Sequence, residues 1–134
     1  MKTISVGDQR LSVLDVYKVA HSTNVQLKLS PKAKSKIEAA HKFILKKAKS
    51  GEVIYGVNTG FGILSSVKID EADLDQLQLN ILRSHAAGVG DSLPKHLVRT
   101  MVFLRAMTLT QGHSGVSVDT VEALLELLNH DVTR

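Results

Sequence analysis

The stretch PKHLVRTMVFLRAMTLT, residues 94–110, decides the fold. Pro94 suits the opening of a helix, where its missing N–H costs nothing. Met101, Val102, Phe103, Leu104, Ala106, Met107 and Leu109 then leave the helix almost no polar side. A helix apolar nearly all round wants covering on every side. Arg105, in its midst, then needs a partner, because an unpaired buried charge is expensive. The spacing predicts a mainly α fold in which other helices are laid around this one.

The segments on either side supply those helices. QGHSG, Gln111 to Gly115, is a break, and Ser117 caps a last helix whose Val121, Leu124, Leu125 and Leu128 face a core. Upstream, Asp70 and Asp73 resemble a capping pair. Leu74, Leu77, Gln78, Ile81, Leu82 and His85 follow at helical spacing on one face, and Gly88 and Gly90 end that helix. Earlier still, Ser30 caps and Pro31 opens a helix with Ala33, Ile37, Ala40, Ile44, Leu45 and Ala48 on one stripe; Phe43 falls off it, and Gly51 ends the helix. The first thirty residues read differently. TISVG and VQLKLS (Val25 to Ser30) alternate like strands, DQR looks like a turn, and LSVLDVYKVAH forms a short helix after Ser12. Residues 1–30 are thus a small β/α element and residues 31–134 helices, with a glycine loop at Tyr55 to Gly62. The whole is expected to be a single N-terminal portion of something larger, since four helices leave too little chain to cover the apolar one.

Composition narrows the function. The chain has 134 residues, 43% hydrophobic and 22% charged, which suits one ordinary globular domain. Its net charge of +4 reflects a lysine-rich segment, Lys28 to Lys49, most of whose lysines occupy the helix face opposite the apolar stripe and read as a solvated surface. Aromatic residues are 4% and none but Phe43 lies among those lysines, so no nucleic-acid interface is expected. There is no cysteine, hence no disulfide framework or thiolate site. The first ten residues have no apolar core of a signal peptide, and no apolar stretch reaches membrane-spanning length. A cytoplasmic protein without membrane partners is expected.

Two constellations carry chemistry. None of the six histidines forms a metal-ligating pair at i, i+4, so no metal is expected. His85 stands apart because it continues the apolar stripe of its helix. Periodicity alone reads it as a core histidine with a backbone partner. The loop YGVNTGFG, Tyr55 to Gly62, packs three glycines, an asparagine and a threonine into eight residues. Gly56, Asn58 and Gly60 read as loop-shaping residues of a tight turn. Phosphate binding is poorly served, since the spacing is neither GxGxxG nor a P-loop. Tyr55, at the edge of that loop, either packs or serves as a general acid or base if its pKa falls from about 10.

YGVNTGFG, then LQLNILRSHAAGVGDSLP, then VRTMVFLRAMTLTQGHSGVS: the three blocks, in this order, resemble the aromatic amino acid ammonia-lyases, most nearly their histidine-specific members. The resemblance runs over roughly residues 53 to 130 and implies the N-terminal helical portion of the ammonia-lyase fold. It implies removal of ammonia and a β-proton from an amino acid; for L-histidine the product is urocanate. It implies an electrophilic methylidene-imidazolone (MIO) made from an internal Ala-Ser-Gly, and a homotetramer. Tyr55 takes the place of the family's catalytic acid–base tyrosine and Gly62 that of the glycine beside the prosthetic group. Ser84 and His85 match the Ser-His of histidine-specific members, where they bind substrate. Ala-Ser-Gly occurs nowhere in these 134 residues, so this chain does not make its own electrophile. Alternatives within the family are a lyase for another aromatic amino acid or an aminomutase; outside it, a non-catalytic helical module.

Overall fold

The computed structural model describes residues 2–8 and 10–133. Among them are two strands and five α-helices, so the mainly α class with a small β element holds. The turn expected at DQR includes Gln9, which lies outside the described residues. Two compact units make up the chain. The first takes the chain up to Phe43 and again from Ser92; the second is Ile44–Asp91.

The first unit begins with β1 (Lys2–Val6), α1 (Val13–His21) and β2 (Val25–Leu29). The strands pair in parallel, from Lys2 opposite Val25 to Val6 opposite Leu29. Parallel neighbours need a crossover, which α1 supplies. Alternation gives the small sheet one apolar face: Ile4, Val6, Val25 and Leu27 are all buried. Ser12 starts α1 through a capping box: its Oγ accepts the Asp15 N–H at 3.2 Å while the Asp15 carboxylate accepts the Ser12 N–H at 3.0 Å. The free side of β2 is closed by a side chain. Asn129 accepts the Leu27 N–H at 2.8 Å and donates to the Leu27 carbonyl at 3.0 Å. The chain leaves β1 through Gly7 at φ +100°, where a Cβ would sit 2.4 Å from that of Ala33. No other residue fits there.

Helix α2 (Pro31–Lys49) opens as its sequence predicts, with the Ala33 N–H donating to Ser30 Oγ at 3.0 Å. Ala33 and Ile37 of its stripe are buried, but Leu45 is exposed. Helices α4 (Lys95–Leu109) and α5 (Val118–Asn129) complete the first unit; α3 lies in the second. Phe103, Ala106, Leu125 and Leu128 join Ile4, Val6, Val19, Val25 and Leu27 in one core, and Ile37, Leu109 and Val121 form a smaller one.

The expectation for α4 is corrected in two respects. Only one face is covered: Phe103, Ala106 and Leu109 are buried while Leu97, Met101 and Leu104, at i, i+4 and i+7, are exposed. Moreover, the charge that needs partners is Arg99, not Arg105. Arg99 shares the buried stripe of Phe103 and Ala106, whereas Arg105 points away and is exposed. Arg99 is 2% exposed, and its guanidinium donates to the carbonyls of Val19 (2.9 Å), Leu128 (2.9 Å) and Ser22 (3.2 Å) and to Asp131 Oδ1 (3.1 Å). One fork thus ties the ends of α1 and α5 to α4. Lys95 also donates to Asp131, and that hydrogen bond is the main reason the Asp131 carboxyl lies below its ordinary value.

Candidate functional site

All the site residues read from the sequence fall in the second unit, Ile44–Asp91. Gly51, at φ +82°, ends α2, and the chain enters the glycine loop. That loop is held from within. Asn58 is 4% exposed. Its Oδ1 accepts the Ile54 N–H at 2.8 Å and its Nδ2 donates to the Glu52 carbonyl at 2.8 Å, so one side chain staples the loop's entry in two directions. Thr59 is 1% exposed; its hydroxyl accepts the Gly56 N–H at 3.3 Å and donates to the Gly60 carbonyl at 3.0 Å. The return segment is clipped on as a short ladder: Gly60 N–H to the Val67 carbonyl at 3.1 Å, and Ile69 N–H to the Asn58 carbonyl at 2.9 Å. A buried polar side chain is costly unless bonded, and here both are.

Tyr55 stands outside this network. It is 65% exposed, and Phe61 meets its ring edge-on, with centroids 6.1 Å apart. The neighbouring Gly56 has φ +75° and Gly62 φ +58°, both in the region that favours glycine. Among the described residues, apart from the immediate chain neighbours, no atom lies within 4 Å of a Cβ built at either position. Backbone angle, not crowding within the chain, calls for glycine there. Gly62 opens a short 3₁₀ turn, Gly62–Leu64.

Helix α3 (Leu74–His85) follows a 3₁₀ turn, Glu71–Asp73, and departs from the sequence reading. Asp73 takes the capping position but its side chain makes no capping bond; the Asp73 N–H donates instead to the Asp70 carbonyl at 2.9 Å. Nothing on α3 is buried. Leu74, Leu77 and Ile81 are half-covered and Leu82 is exposed. His85 is exposed too, so the core-histidine reading does not hold. Periodicity identified the stripe correctly but not what covers it. His85 Nδ1 lies 2.9 Å from the Ile81 carbonyl and 3.0 Å from Ser84 Oγ, which itself donates to Ile81 at 3.1 Å. A carbonyl only accepts, so Nδ1 carries a proton, and in the tautomer that has its single proton there Nε2 is an acceptor. Among the described residues no hydrogen bond or ring contact joins Tyr55 to Ser84 or His85. The structure thus brings together Tyr55, Gly56, Asn58, Gly60 and Gly62 on one loop, and Ser84 with His85 on one helix end.

The sequence reading counted Thr59 in the loop without giving it a role of its own, and it did not single out Phe61. Ser and Thr hydroxyls recur as turn devices, and a threonine between Asn58 and Gly60 was the available signal for that role.

Residues 11–134 match the model of the aromatic amino acid lyase family. The chain belongs to that family. The lyase chain is 43% identical over 129 residues to a probable histidine ammonia-lyase of Thermoplasma volcanium, covering 96% of this chain and 26% of that protein. Among solved structures it resembles histidine ammonia-lyase from Trypanosoma cruzi, with 35% identity and a TM-score of 0.83 over 96% of this chain and 25% of that one. It also resembles the ergothioneine-degrading enzyme ergothionase from Treponema denticola, with 30% identity and a TM-score of 0.89 over 96% of this chain and 26% of that one. The chain therefore spans about a quarter of the length of these relatives and corresponds to their N-terminal portion.

Proposed function

We propose that this lyase chain carries the acid–base tyrosine and the ring-reading histidine of a cytoplasmic, homotetrameric enzyme that converts L-histidine to urocanate and ammonia. The single observation that supports this most is the state of the YGVNTGFG loop. Its other polar side chains, Asn58 and Thr59, are buried and spent on the backbone, while Tyr55 keeps its phenol in the open. A loop made only to turn would have no reason to hold an aromatic hydroxyl outside its own bonding.

The β-proton of histidine is weakly acidic, so its removal calls for a basic group near an activated amine. Tyr55 is the general base that takes that proton and later returns it to solvent. His85, held through Nδ1, offers Nε2 to the N–H of a substrate imidazole. A phenyl ring has no such donor, and sites built on hydrogen bonds discriminate strongly against analogues that lack them. Ser84 steadies the His85 ring.

The MIO implied by the family fits this chain at one place. Gly62 turns at positive φ and, among the described residues other than its chain neighbours, no atom lies within 4 Å of where a Cβ would be, which leaves room for a flat group against its backbone. MIO supplies an electrophile that makes the substrate amine a better leaving group, and it is made from residues outside these 134.

Tyr55→Phe tests the reading in the complete enzyme, because it removes the hydroxyl and keeps the ring against Phe61. We expect kcat on histidine to fall by about 10² to 10⁴, with the fold unchanged by circular dichroism. Turnover within a few-fold of wild type would remove Tyr55 from the mechanism.

A further inference from the structure

A side chain on a loop takes its direction first from the two peptide planes that flank its Cα, because φ and ψ are the only soft backbone angles. At Tyr55 both planes are held, by different means. The plane before it is fixed through the Ile54 carbonyl, which accepts the N–H groups of Val57 at 3.1 Å and Asn58 at 3.2 Å. The plane after it contains the Gly56 N–H, and the only partner of that N–H among the described residues is Thr59 Oγ1, at 3.3 Å.

Little else steadies the second plane. Gly56 has no side chain to pack, and the space where its Cβ would lie is open to 4 Å. The Tyr55 ring is 65% exposed, with one ring neighbour edge-on. Thr59, by contrast, is anchored on both sides, through the Asn58 carbonyl to Ile69 and through the Gly60 N–H to Val67. Its proton goes to the Gly60 carbonyl, so its lone pairs are free to face Gly56.

We propose that Thr59 is a positioning residue for Tyr55: its buried hydroxyl transfers the rigidity of the 58–60 and 67–69 ladder to the Tyr55–Gly56 peptide plane and so fixes where the phenol points. The proposal rests on the acid–base reading of Tyr55. Without the hydroxyl, the plane turns freely at a glycine, and the phenol spends most of its time away from the reacting geometry. Misplacement by an ångström costs up to about 10²-fold in rate.

The test uses the complete lyase and the variants Thr59→Val, Thr59→Ala and Thr59→Ser, each with Tyr55 and with Tyr55→Phe. With Tyr55 present, valine and alanine should lower kcat by about 10- to 100-fold while KM stays within a few-fold, and serine should restore most of the rate. With Tyr55→Phe, the same substitutions should change kcat by less than about threefold, because residues acting as a unit are non-additive. A full-sized loss in the Tyr55→Phe background, a serine variant as poor as valine, or a valine variant as fast as wild type would each overturn the proposal. So would failure of both valine and alanine variants to fold, since the hydroxyl would then support the fold at large. Exchange of the Gly56 amide, followed by NMR, separates this proposal from the reading it rests on. Faster exchange in valine than in serine keeps Thr59 as the holder of that plane even if Tyr55→Phe proves active. Equal exchange removes it.

Discussion

At the scale of a residue, His85 offers the sharpest separation of roles. No side chain of α3 is buried, so His85→Leu removes a hydrogen-bond acceptor without opening a cavity. In the complete enzyme the ratio of kcat/KM for histidine over phenylalanine should fall by at least about tenfold, with the thermal midpoint nearly unchanged. Kinetics on the two substrates checks this; an unmoved ratio removes His85 from specificity. The sequence made such residues visible unevenly. Tyr55 could be singled out because the surrounding glycines set it off. The exposure of His85 could not be read, because an apolar stripe does not say what lies against it. Arg99 was missed and Arg105 chosen because a helix apolar on nearly all sides gives no phase by which to tell its buried face. That phase comes from the ends of α1 and α5, whose carbonyls need a donor.

At the scale of elements, the Arg99–Asp131 junction binds α1, α4 and α5. Arg99→Met keeps the stem but leaves the carbonyls of Val19 and Ser22 without their donor and takes one donor from that of Leu128, which keeps the Asp131 N–H at 3.3 Å. The cost should be on the order of 3 kcal/mol, read as a shift in urea midpoint at constant m. Asp131 adds a pH signature. Its carboxyl is held below the ordinary value of 3.8, first by the hydrogen bond from Lys95, which outweighs the opposing effect of burial, and then by the charges of Lys95 and Arg99. A lowered folded-state pKa contributes stability that is complete above 3.8 and is lost as pH falls from there through the folded value. Asp131→Asn tolerates the left-handed φ of 58° at this position. Its deficit relative to wild type should be present at neutral pH and should shrink below the ordinary carboxylate range. Acid titration by far-ultraviolet circular dichroism measures it; a deficit that persists undiminished at low pH would mean that Asp131 acts by shape and not by charge. Of these elements, the caps at Ser12, Ser30 and Ser117 and the Gly51 stop were legible, since each is a local bargain between neighbours in sequence. The Asp70–Asp73 cap failed because a 3₁₀ turn satisfied the same backbone groups first.

At the scale of the molecule, the first unit shows Val13, Leu14 and Tyr17 of α1 and Leu97, Met101 and Leu104 of α4 to solvent. Exposed apolar surface of this kind drives association. The 134-residue chain by itself should therefore self-associate with rising concentration, which light scattering checks, and a strict monomer would show that these residues are too scattered to form a patch. The same chain lacks Ala-Ser-Gly, so incubation with histidine should produce no urocanate absorbance; turnover would overturn the need for that electrophile. Among the described residues no helix is long and apolar enough to cross a membrane. The twofold grip of Asn129 on Leu27 reaches across 102 positions of sequence. On a ribosome, β1 and β2 emerge long before the side chain that closes their edge. Contacts so distant along the chain form late, because the loop between them must be closed before they repay it. The small sheet thus waits, its edge open, until the last residue of α5 has been synthesised. In that interval the outer edge of β2 is open to any strand that can pair with it.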